Sequence, residues 1–335
     1  MISYSFSLCI VNQDNCVIIE TMNIVFLAII KLLLIVSLGF YLKKQQVLKE
    51  EGVNFLTFFV INISIPFLIF SNIITNYHRE QTPSVWLFIL LSIAIFALGL
   101  ILSILPFFHI KKEFRREYIS LASFQNAGYL PMNIAVFLFS PAVRDKFLLY
   151  IFLYLLGFNI LIWSIGNFFI FKRPNDKFVA KSLFTPPVIS IILSLIIVNL
   201  GTAKLIPPWV ISPIEMVGQT SFVLSMIILG AWLEKCPFSL YVQNPAALKA
   251  SVLKLIVIPA VVFLVIYTQK IYSLLGFFLL LQASLPSAVS LPIIADMHGG
   301  NSKFISYVVF LTHIISIISV PLWIGLFLKV SNFIV

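Results

Sequence analysis

Charge is what this chain has least of: only 10% of its 335 residues are Asp, Glu, Lys or Arg. A soluble globular domain carries about 25% charged and about 45–50% apolar residues. Here 61% are hydrophobic and the mean hydropathy is +1.08, which excludes an ordinary soluble domain. Hydrophilic stretches are short as well. The largest, roughly Lys172 to Ser182, leaves no room outside the membrane for a catalytic or nucleic-acid-binding module. Alternating barrel strands are missing too, whereas apolar runs of about twenty residues, the length of a helical span, recur throughout.

Cysteine is scarce. Cys9, Cys16 and Cys236 form neither a metal spacing nor a disulfide framework. Cys9 and Cys16 could pair if the N-terminal tail is extracytoplasmic; the alternative is inert thiols. Residues 1–21 lack the basic start of a signal peptide. Met22 directly precedes the first apolar run, so residues 1–21 are expected to be an extracytoplasmic tail or a mis-assigned start. Acid–base chemistry is equally thin, with no His-Glu-x-x-His, no clustered His and Asp and no pair of buried carboxylates. An enzyme needs such groups in mutual reach. The expectation is no enzyme, no metal and no cofactor, and the missing carboxylate pair also argues against a cation–proton antiporter.

What is present is ten apolar runs. They cover Ile24–Leu42, Phe55–Ile74, Val85–Phe107, Ile119–Phe139 and Phe147–Phe171, then Thr185–Leu200, Ile211–Leu233, Ala247–Tyr267, Leu274–Ala295 and Ile305–Leu328. The formal charge of +10 resembles a nucleic-acid signal until its location is read. Lys and Arg gather in the loops after odd-numbered runs, at Lys43 to Lys49, Lys111 to Arg116 and Lys172 to Lys181. That pattern is an orientation signal, with those loops in the cytoplasm and both termini outside. Corresponding runs of the two halves are offset by a nearly constant interval, about 160 residues. Because five is odd, the second half enters from the opposite side, and such a repeat is necessarily inverted. The expected fold is an all-α polytopic membrane protein. Its ten transmembrane helices form an inverted five-plus-five repeat, with broken, crossing helices four and nine. Residues 22–171 and 185–335 are the repeats, and 172–184 the cytoplasmic connecting loop.

Two runs carry groups that a lipid-facing helix does not. SLASFQNAGYLPMNIAVFLF holds Gln125, Asn126, Gly128, Pro131 and Asn133, and LLLQASLPSAVSLPIIAD holds Gln282, Pro286, Ser287 and Ser290. Proline removes a backbone donor and clashes with the carbonyl four residues back. Freed backbone groups are tolerated in a membrane only against protein or a watery cavity. Breaks are expected at Pro131 and Pro286, each starting a half-helix with a positive end at mid-membrane. Such ends bind anions without a buried arginine, and the neighbouring amides and hydroxyls can direct a carboxylate. The plainer reading is that small polar residues merely kink helices and join them. Two breaks at matching places favour the substrate site.

Ionisable groups inside the runs are few. Lys31 is within snorkelling reach of the outer face, and Lys254, a turn or two inside its run, is expected to snorkel toward the level of Lys249. His313 lies midway along the tenth run. It is either a proton relay or a neutral histidine bonded to a neighbouring helix. Glu215 and Asp296 lie near run ends, and Trp86, Trp163, Trp209, Trp232 and Trp323 are mostly near ends as interfacial anchors.

The motifs resemble the auxin efflux carrier family in its compact prokaryotic form, similar to malate or malonate permeases. LGFYLKKQQVLKEEG resembles that family's first helix and basic turn, and FFVINISIPFLIFSNI its second, with Asn62 and Pro66 in typical places. FQNAGYLPMN resembles the Asn-x-Gly signature of the fourth helix, VLSMIILGAWLEK the seventh and LPSAVSLPIIADMHGGN the ninth. Two departures are Asn133, which stands where a later proline is usual, and Pro292, which is additional. The resemblance implies a scaffold of helices one, two, six and seven, often dimerising. A moving bundle of helices three to five and eight to ten would carry small organic anions, dicarboxylates or indole acids, across the inner cell membrane. The competing readings are an ion-coupled symporter of another solute class, a membrane receptor and an intramembrane enzyme.

Overall fold

The computed structural model describes residues 13–78, 80, 82–104, 110–162, 184–234, 244–298 and 300–331. Among them the chain is helical, with a single isolated β-bridge. The helices are α1 Gln13–Lys44, α2 Glu50–Asn76, α3 Val85–Ile104, α4 Arg115–Ser123, α5 Tyr129–Leu138 and α6 Pro141–Ile160. They continue with α7 Pro186–Asn199, α8 Pro208–Glu234, α9 Pro245–Thr268, α10 Leu274–Ser284, α11 Leu291–His298 and α12 Ser302–Ser331. Five of them, α2, α3, α8, α9 and α12, are long and apolar enough to cross a membrane. Cys9, Cys236, Trp163 and the loop from Lys172 to Lys181 lie outside the described residues, as do the side chains of Cys16, Met22 and Asp296.

Both interruptions expected from the prolines are present, but displaced. The run at Ile119–Phe139 divides into α4 and α5, with residues 124–128 unwound between them, and the run at Leu274–Ala295 divides into α10 and α11 around residues 285–290. Neither half-helix starts at the expected proline. Pro131 is the third residue of α5, and Pro286 lies in the unwound stretch ahead of α11. The reason is that proline is tolerated in a first helical turn, where its missing N–H has no partner to lose. The break therefore falls before Pro131, and Pro292 occupies the comparable place in α11.

Proline shapes α2 and α9 differently. In each, a π-turn precedes an Ile-Pro pair: Val60–Ser64 before Pro66, and Leu253–Val257 before Pro259. The widened turn absorbs the clash with the carbonyl four residues back. For Pro259 that carbonyl belongs to Leu255, and the Trp323 indole N–H of α12 donates to it at 2.8 Å. Trp323 is thus a partner for a freed backbone group inside the bundle, rather than the interfacial anchor expected of it. Trp86 and Trp209, by contrast, are exposed near helix starts.

Packing sorts the helices into two groups. The first holds α1, α2, α7 and α8, with α1 against α8 and α2 against α7 and α8. Gly39 and Gly230 let the α1 and α8 backbones touch; a Cβ on Gly230 would run into the Val36 carbonyl. Such small-residue contacts drive association where lipid removes the hydrophobic force. The second group holds α3 to α6 and α9 to α12, joined by an aromatic cluster. Phe88 of α3 lies 5.8 Å edge-on to Phe278 of α10, which meets Tyr154 of α6 at 5.5 Å. Each such pair contributes about 0.5–1.5 kcal/mol beyond its area. Between the groups run contacts of α1 with α5 and α12, of α2 with α6, and of α5 with α8.

Candidate substrate site

The two unwound stretches cross and hydrogen-bond to each other. Gln125 and Ser287 form the isolated antiparallel bridge, with the Asn126 N–H donating to the Pro286 carbonyl at 2.8 Å and the Ala288 N–H to the Phe124 carbonyl at 3.1 Å. Each break thus answers backbone groups that the other leaves open, which is how broken helices survive inside a membrane protein. Four half-helix ends meet here: the carbonyl ends of α4 and α10, and the amide ends of α5 and α11. Carbonyl ends attract cations and amide ends attract anions.

Side chains finish the crossing. Asn126, 3% exposed, donates from Nδ2 to His313 Nε2 at 3.2 Å. His313 Nδ1 is 2.7 Å from the Val309 carbonyl. A carbonyl can only accept, so Nδ1 carries the proton and Nε2 is the acceptor of a neutral ring. Ser287 is tied twice, its hydroxyl donating to the Leu121 carbonyl at 2.8 Å and its N–H to the Thr312 hydroxyl at 3.3 Å. Gln282 donates to the Ala127 carbonyl at 3.2 Å, and Gln125 donates to the Tyr154 hydroxyl. The amide oxygens of both glutamines are buried without a partner among the described residues.

Asn126 and Gly128 in the first unwound stretch, Pro286 and Ser287 in the second and Gln282 just ahead of it meet at the crossing, with His313 added through Asn126. Asn133 lies a turn further along α5 and faces the other helix group: it donates to Ser225 Oγ of α8 at 3.2 Å. Ser290, half-buried at the start of α11, has no side-chain partner among the described residues. Its neighbours Val289 and Pro292 border a cavity of about 470 Å³ that reaches Glu50 and Asn54 at one end of the bundle. A second cavity, about 260 Å³ and mostly apolar, lies between α1, α5, α8 and α12 with His313 on its wall. At the opposite end, Asn72, Arg144, Asp145 and Glu215 line a third of about 190 Å³. All three lie along the seam between the helix groups.

One residue contradicts its expectation outright. Lys254 does not snorkel: it is fully buried, and its ammonium donates to the Ala122 carbonyl in the last turn of α4 at 3.2 Å. Lys254 belongs to the π-turn of α9, which changes the face its neighbours present. A cation one turn ahead of an Ile-Pro pair in an apolar run marks the residue in the sequence, though not the direction it faces. Lys31 is exposed along α1, with its ammonium 5.7 Å from the Phe137 ring centroid. Tyr154 and Thr312, which hold Gln125 and Ser287, carried no signal of their own in the sequence.

Two interrupted helices crossing inside an apolar helical bundle are the mark of a membrane transport protein. A family profile described as membrane transport protein matches residues 24–180 and 175–324. The chain belongs to that family, the auxin efflux carriers. It is 27% identical over 309 residues to a protein of Methanocaldococcus jannaschii described as an uncharacterized transporter, covering 87% of this chain and 95% of that one. An uncharacterized transporter of Methanothermobacter thermautotrophicus is 25% identical over 308 residues, 88% of this chain and 96% of its own. Protein ECM3 of Saccharomyces cerevisiae is 28% identical over 165 residues, 44% of this chain but 26% of the yeast protein.

Proposed function

We propose that the chain is a secondary carrier of small organic anions, carboxylates above all, working by alternating access with the solute held where α4/α5 and α10/α11 cross. The observation that carries this reading is the Gln125–Ser287 bridge, which joins two half-helix amide ends within one bundle. A carboxylate suits the N–H groups at the starts of α5 and α11 and the Ser290 hydroxyl. The amide oxygens of Gln125 and Gln282 suit a hydroxyl or protonated group on the same solute.

The moving part in this reading is the group of α3 to α6 and α9 to α12, and the scaffold is α1, α2, α7 and α8. An inverted repeat of ten spans, residues 22–171 and 185–335, gains support from the breaks themselves. Ala122-Ser123 and Ala283-Ser284 end the first half-helices, and Leu130-Pro131 and Leu291-Pro292 open the second. With both termini outside, the cavity at Glu50 opens to the cytoplasm and the one at Arg144 to the exterior, so the larger opening is inward. A homodimer through the scaffold and residence in the inner cell membrane belong to the same reading. His313 enters as a proton relay only if Asn126 turns its amide, because both ring nitrogens are engaged.

Uptake of labelled mono- and dicarboxylates into proteoliposomes, under imposed pH and sodium gradients, tests the proposal. Saturable flux of at least one acid is expected. Folded protein that moves none of them contradicts it.

A further inference from the structure

The crossing holds a buried lysine that the substrate reading does not use. Lys254 is fully buried, and no carboxylate lies within ion-pairing distance of it among the described residues. Its one hydrogen bond goes to Ala122, whose carbonyl belongs to the electronegative end of half-helix α4. An ammonium has three donors and no acceptor, so two remain for its surroundings. Of the helices packed against this turn of α9, α3 and α10 carry no ionisable side chain over their whole lengths, and no carboxylate of the others is within ion-pairing distance of Lys254 among the described residues. On α4, the buried Glu117 carboxylate is engaged by the Asn301 N–H at 2.8 Å. On α12, His313 is neutral through its two bonds. The other side of the Ala122 carbonyl is closed by α3, since a Cβ on Gly99 would approach that oxygen to 2.7 Å.

Burying an ion without a partner is costly, and where a membrane protein retains one it marks function by default. Placement gives the function here. In carriers built on broken helices, the carbonyl ends of half-helices hold the coupling cation, while the amide ends hold the anionic solute. Lys254 brings a covalently attached cation to one of those carbonyl ends, through a π-turn of the kind that recurs at functional sites.

We infer that Lys254 is the built-in cation of the crossing: it stands at the α4 carbonyl end where a metal ion would otherwise bind, and it offsets the charge of an anionic solute as the bundle moves. Its charge role rests on the carboxylate reading, while its place at a cation position does not. The crossing then has no use for sodium, and a bound monocarboxylate is balanced by Lys254 as the bundle moves. Moving one uncompensated charge across 100 mV redistributes the two orientations by about 50-fold.

The first arm of the test needs no solute and no variant: thermal unfolding of the full chain in detergent, in sodium chloride and in choline chloride of equal strength. Equal midpoints are expected, and a sodium-specific rise overturns the inference. The second arm is homo-exchange of a transported monocarboxylate in proteoliposomes with the potential set by potassium and valinomycin. Wild-type and Lys254→Arg exchange should ignore the potential, while Lys254→Gln exchange becomes sensitive to it. Wild-type exchange as voltage-sensitive as that of Lys254→Gln overturns the charge role. If no carboxylate is transported at all, the carboxylate reading falls by itself, and the sodium comparison still decides the place of Lys254.

Discussion

The two interrupted helices are fastened by different means. Apart from the backbone bonds the two stretches share, the ties around residues 124–128 are carboxamides, Gln125 to Tyr154 and Asn126 to His313, within the second helix group. Around residues 285–290 they are backbone groups and the hydroxyls of Ser287 and Thr312. Past Ser287, Val289 and Pro292 border the largest of the three cavities, and the half-buried Ser290 side chain has no partner among the described residues. The first break is therefore a fixed wall and the second an open one. A side chain tied into the wall, as Asn126 is, is expected to contribute to stability. A polar residue on the open side is available to a solute.

Asn126→Ala should have the largest effect, because it strips His313 Nε2 of its donor inside the bundle. An unpartnered buried group costs about 1–3 kcal/mol. The expected result is a lower unfolding midpoint in detergent together with lost uptake. Adding His313→Ala should cost less than it does alone, as residues in one hydrogen-bonded pair are not additive. Wild-type stability in Asn126→Ala would break the distinction between wall and open side. Ser290→Ala is the small counterpart: a midpoint within about 0.5 kcal/mol of wild type, with KM raised severalfold. If Ser290→Ala leaves KM unchanged, the solute does not use the open side at that residue.

Much of the crossing is legible in the sequence. Amides and prolines inside apolar runs are costly in lipid, so their presence at Asn126 and Pro286 locates both breaks to within a turn. The starts of the half-helices are not legible, because a proline that ends one helix is equally at home in the first turn of the next, as Pro131 is. Lys254 escapes a sequence reading for a different reason. Hydropathy gives depth along a helix, and a regular period gives the facing direction. A π-turn adds one residue and rotates the rest of the helix by about 100°. Residues 253–257 make that turn, and nothing in their apolar pattern records which way Lys254 points. The auxin efflux motifs are more robust, since the glycine of VLSMIILGAWLEK marks a backbone contact with α1 rather than a face.

Alternating access at the crossing requires α5 to move against α8, and Asn133 and Ser225 span that seam at 3.2 Å. The direct measurement is solute uptake by a double variant, Asn133→Cys with Ser225→Cys, in a background where Cys9, Cys16 and Cys236 are serine. Oxidation to the disulfide should abolish uptake, and dithiothreitol should restore it. Full uptake by the oxidised, cross-linked protein would contradict alternating access at this crossing.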